Sequence, residues 1–88
     1  MRHPSILEEF GMTPEEFGRR LSGTRYDDLR DSLYSLSRAI GHAAADDEDD
    51  GKMKLSDALY RFADKLGECG DIGKEIWDIC EPYMDNTK

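Results

Sequence analysis

Cysteine and proline are scarce in this chain, two and three among 88 residues. Cys69 and Cys80 cannot form a disulfide framework. With His3 and His42 as the remaining soft donors and no paired spacing between them, a zinc site is not expected either. No apolar run is long enough to span a membrane, and no basic, apolar, small-residue leader resembles a signal peptide. The expected compartment is therefore the cytoplasm. The sequence also lacks a glycine-rich phosphate loop and a nucleophile–base signature, so neither catalysis nor a cofactor is expected. Bases are in deficit, 12 against 20 acids, for a net charge of −8. Nucleic acid and anionic membranes repel such a chain, which points to a basic protein surface as its partner.

Apolar residues make up only 38% of the chain, against 36% charged. That balance allows one modest core, so residues 1–88 are read as a single domain. The apolar residues are periodic. The segment "PSILEEFG" suits a short helix stopped at Gly11, and "TPEEFGRRLSG" suits a second. In the latter Thr13 caps, Pro14 takes the first helical position, Glu16 completes a capping box and Gly23 ends the helix.

From Thr24, read as a cap, Tyr26, Leu29, Leu33, Leu36, Ile40 and Ala43 recur at steps of three and four. This heptad seam is answered by Leu55, Leu59, Phe62 and Leu66. Leu33 and Phe62 are thus expected in the core. Two such helices joined by a polar connection predict an antiparallel hairpin. Gly67, Gly70 and Gly73 are read as breaks, after which Asp71 caps a last helix carrying Ile72, Ile76, Ile79 and Tyr83. The tail at 85–88 is expected to fray. No strand-like alternation occurs. The predicted fold is all-α, a small bundle built on the hairpin with short flanking helices.

The densest signal is five consecutive acids, Asp46, Asp47, Glu48, Asp49 and Asp50, inside an expected inter-helix loop at 45–54. Three readings compete for it. Setting Gly51 at the sixth place of a twelve-residue calcium loop makes Asp46, Glu48 and Asp50 the first ligands and Asp57 the last. The span resembles an EF-hand loop to that extent. It departs from one where Lys54 takes the ninth place and Asp57 replaces a long bidentate Glu. The second reading is a solvated linker kept extended by like charges. The third is a surface that steers the chain onto an Arg/Lys-rich groove. Further acids (Asp64, Glu68, Asp71, Glu75, Asp78, Glu81 and Asp85) would extend it as one stripe if the region were continuously helical.

Tyr34, Tyr60 and Trp77 each follow a seam position by one residue. They are read either as an exposed anchor patch, with Tyr34 its leading contact, or as residues covered by a neighbouring helix. The expected function is protein binding through Asp46–Asp50 and Tyr34, most specifically inhibition of a basic nucleic-acid-binding protein by mimicry. In size and charge the chain is similar in character to phage anti-CRISPR and anti-restriction proteins, acidic antitoxins and immunity proteins, without a shared motif. Its rivals are a calcium-binding protein and a self-associating helical subunit, a homodimer in the simplest case.

Overall fold

The computed structural model describes residues 3–83. Four helices follow one another among them: α1 (Ile6–Glu9), α2 (Pro14–Ser22), α3 (Tyr26–Asp49) and α4 (Met53–Cys80), with a 3-10 turn at Glu81–Tyr83. The described residues contain no strand, so the all-α class holds. The tail expected to fray, 85–88, lies outside them.

The short helices start as their sequences dictate. Ser5 Oγ accepts the Glu8 amide at 3.2 Å to open α1. The Thr13–Glu16 capping box forms in both directions, each bond 3.1 Å, with Pro14 in the first turn of α2. Thr24, however, does not cap α3. Arg25 holds that position, makes no side-chain cap, and instead bonds Asp27 through both guanidinium and carboxylate pairs at 3.1 and 2.9 Å. Its guanidinium also lies 5.7 Å from the centre of the Trp77 ring, which ties the start of α3 to the end of α4.

The connection between the long helices is shorter than the expected 45–54 loop. Only residues 50–52 separate them, because Asp46–Asp49 complete α3. The Gly51 amide bonds Glu48 O at 3.0 Å and the Lys52 amide bonds Asp47 O at 2.8 Å. With Gly51 at φ +81°, this is a Schellman closure, which needs a residue free to enter the left-handed region.

α4 likewise corrects the expectation of a break. It runs unbroken through Gly67, Gly70 and Gly73, because those glycines face α3 rather than interrupt the helix. A Cβ at Gly73 would sit 3.3 Å from Arg30 Cα, and one at Gly70 would meet the Tyr34 ring. No separate helix begins at Asp71.

The two helices meet along small residues. Ser56, Ala63, Gly70 and Gly73 are the buried positions of α4, and Ala44, at 0% exposure, is that of α3. Ser37 Oγ donates to Ala63 O at 2.7 Å across the seam. This line stands one residue after the predicted one: Ser37 follows Leu36, Ala44 follows Ala43, Ser56 follows Leu55, Ala63 follows Phe62. Small side chains win the interface because they let the backbones approach, and among the described residues no large side chain is fully buried. Leu36 and Phe62 stay 45% and 49% exposed. Phe62 is therefore not the core residue its spacing implied, and Leu33 is only half-buried.

One residue is a 100° turn about a helix axis. In an antiparallel pair, the residues preceding the contact line project to the same side from both helices. Leu29, Leu36 and Ala43 of α3 thus share a face with Leu55, Phe62 and Ile76 of α4. The residues that follow the contact line on α4 project to the other side. They are Asp57, Asp64 and Asp71, with Lys74 after Gly73, and Asp78 continues the seven-residue spacing of the acids. The hairpin has one apolar face and one charged face, on which Asp57 pairs with Arg61 and Asp78 with Lys74. No helix among the described residues is long and apolar enough to cross a membrane.

Candidate acidic interface

The five-acid run becomes the last turn and cap of α3. A helix C-terminus carries partial negative charge from its unpaired carbonyls, so acids are unfavourable there and cations favourable. The last turn of α3 holds no basic residue. The ion pairs formed among the described residues all lie elsewhere: Arg25–Asp27, Arg30–Asp31, Arg61–Asp57, Lys65–Glu68 and Lys74–Asp78. One acid of the run is held by a neutral donor. The Tyr60 hydroxyl donates to Glu48 Oε1 at 3.0 Å, bracing the end of α3 against α4. Asp46, Asp47 and Asp50 line an open hollow of about 510 Å³ with His3, Lys52 and Leu55.

Helical geometry at both ends of the run removes the calcium loop. The span Asp46–Asp57 is helical to Asp49 and again from Met53, so a twelve-residue loop does not form. Among the described residues, no group of three or more His, Cys, Asp or Glu side chains is placed to hold a metal ion. Cys69 is an exposed free thiol and Cys80 a half-buried one.

Tyr34 does not join the acidic tip. Twelve residues of helix, about 18 Å, separate it from Asp46. Its ring lies across Gly70 and its hydroxyl donates to Asp71 Oδ1 at 2.5 Å, so it belongs to the packing of the hairpin itself. Tyr60 plays the same part at the other end, and Trp77 lies half-buried under Arg25. The aromatics set one residue off the predicted seam are braces across the two helices. The sequence places the acids of α4 in one stripe only if the helix runs through its glycines, and the small residues at 56, 63, 70 and 73 mark where that helix meets another and so continues.

The braces have a titration signature. Hydrogen bonding to Asp71, then desolvation and the nearby carboxylate charge, raise the Tyr34 pKa above the ordinary phenol value; Glu48 acts in the same way on Tyr60. A pKa raised on folding contributes stability that is present below the ordinary tyrosine range and lost as pH rises through the folded value. An absorbance titration of the phenols should therefore show Tyr34 ionising earlier in Asp71→Ala and Tyr60 earlier in Glu48→Ala. Unchanged curves in both variants would remove the braces from the account.

No protein-family model matches the chain, and no curated protein or solved structure matches it either.

Proposed function

We propose that this protein works by binding another protein, with the acidic tip of the hairpin, Asp46–Asp50, leading its approach to a basic, nucleic-acid-binding surface. The observation that carries this reading is the position of the acids. Four of them end α3 where the helix dipole disfavours negative charge, and neither a cation in that turn nor an ion pair relieves them. Charge kept at a cost in stability, on a solvent-facing tip, suits a role in recognition. The continuity of α4 supports it further. Asp64, Glu68, Asp71, Glu75 and Asp78 follow at steps of four, three, four and three on one uninterrupted helix, with Glu68 and Asp78 paired to Lys65 and Lys74. Neighbouring carboxylates then stand about 5–6 Å apart. A duplex carries its phosphate charges more densely, so this surface would compete with nucleic acid by charge rather than by copying its shape.

Peripheral charges of this kind govern encounter more than retention. A variant with Asp46–Asp50 neutralised to Asn and Gln should associate with the partner recovered from the native host roughly tenfold more slowly or worse, with little change in dissociation. Added salt should weaken the wild-type complex steeply, since exposed charges are screened over about 8–10 Å. Nucleic acid should compete for the same groove. A partner that binds the neutralised variant equally well while still holding nucleic acid would defeat the proposal.

A further inference from the structure

The apolar face of the hairpin is uncovered, and the dimensions of the molecule say how much is missing. Stable domains stack at least two layers of secondary structure around a core. This molecule is flat, with principal extents of 53, 29 and 16 Å. Its radius of gyration is 15.9 Å, against about 12 Å for a compact chain of this length. Its accessible surface is 7064 Å² at 10.0 kDa; a compact monomer of that mass exposes about 5,200 Å². The excess over the whole surface, about 1,800 Å², is of the size that one partner buries in an obligate homodimer.

The chain's own short helices cannot supply that cover. α1 and α2 hold four and nine residues, about 20 Å of helix in total. α4 alone, with 28 residues, runs about 42 Å. Nearly all packing between elements lies between α3 and α4, and Phe10 and Phe17 of the N-terminal part remain exposed.

We propose that a second copy of this chain covers the face, two hairpins packing as a four-helix bundle about a two-fold axis near Leu36 and Phe62. The Ser37–Ala63 hydrogen bond sets these two side chains at the same level, at the middle of α3 and about a third of the way along α4. The centre of a self-complementary contact must lie on the two-fold axis, and a central pair of large exposed apolar residues suits it. The net charge of −8 does not forbid the pairing. Asp57, Asp64, Asp71 and Asp78 lie on the opposite side. Face-to-face packing turns both charged sides outward across two helix layers, about 20 Å, which exceeds the screening length at physiological salt. The dimer would display two charged surfaces, one on each side.

Sedimentation equilibrium of the full chain at concentrations from about 1 to 100 µM tests this directly. The wild type should approach twice the 10.0 kDa chain mass. Leu36→Lys with Phe62→Lys should raise the dissociation constant by roughly a hundredfold or more. The helical spectrum should persist, because both side chains already meet solvent in the single hairpin. Should that variant lose its helices, Leu36→Ala keeps the test open, with dissociation expected at roughly tenfold higher concentration. A wild type that stays at 10.0 kDa throughout overturns the proposal, whether α1 and α2 or a different protein cover the face. A dimer unaffected by the substitutions overturns it equally.

Discussion

Gly70→Leu should lower the melting temperature by about 10 °C, a larger loss than any other substitution considered for this chain. A Cβ at this position would lie 2.6 Å from two ring carbons of Tyr34, well inside the roughly 3.5–4 Å of ordinary carbon contact. The ring is not free to swing away, because its hydroxyl is bonded to Asp71, the next residue along the same helix. A branched side chain must therefore displace the brace or part the helices. Overpacking costs about 1–3 kcal/mol, and the lost hydrogen bond about 1 kcal/mol more. Replacing a helical glycine returns about 1 kcal/mol. The net loss is about 1–3 kcal/mol, a large share of the stability of a domain this small. Removing the ring makes room, so Tyr34→Ala combined with Gly70→Leu should lose clearly less than the two single losses added together. Simple additivity would show that the ring is not what Gly70 accommodates. Gly41→Ala serves as the control: nothing lies within 4 Å of its Cβ position, so only the favourable propensity change should remain and the protein should melt higher.

Much of the fold was legible because periodicity reports which residues share a helix face. The Thr13–Glu16 box, the helix over Leu29–Ala43 and its antiparallel partner over Leu55–Leu66 all follow from spacing and caps. Two physical effects hid the rest. Glycine reads as a helix breaker by propensity, yet Gly67, Gly70 and Gly73 stay helical, the last two because a partner backbone or ring occupies the space of their missing side chains. Large apolar residues at heptad spacing read as a core, yet here they flank the contact line, and smaller residues one step on fill it. Pattern alone does not separate a seam that packs against its own hairpin from one left open to a second layer.

The acidic site was half legible. Asp46–Asp50 stood out by composition, but local repulsion suggested a loop, whereas Gly51 is the left-handed residue that closes a helix reaching Asp49. Read as a helix terminator, Gly51 would have placed the acids correctly. Lying off the seam, Tyr34 reads in the sequence as a partner contact, and the same position lets it brace the hairpin through Asp71.

Neutralising the acids that end α3 should make the protein more stable. Asp46→Asn, Asp47→Asn, Glu48→Gln and Asp49→Asn together remove four charges from a turn that contains no base. At an exposed helix end each such charge is unfavourable by roughly 0.3 kcal/mol, with mutual repulsion adding to it, so about 1 kcal/mol should be recovered. Gln retains an oxygen that can accept from Tyr60, so the brace at Glu48 survives the exchange. In a domain of this size about 1 kcal/mol corresponds to about 4–8 °C in melting temperature. The difference should shrink as salt screens the wild-type charges.

Charge held at the tip of the hairpin against the interest of the fold is the central claim, and no partner is needed to test it. Thermal melts of the wild type and the four-site variant, compared at low ionic strength, measure it directly. A variant that melts about 4–8 °C higher agrees with acids retained for recognition. A variant that melts at the same temperature or lower would mean that Asp46–Asp49 serve the fold where they stand, and the case for an acidic docking tip would fall with them.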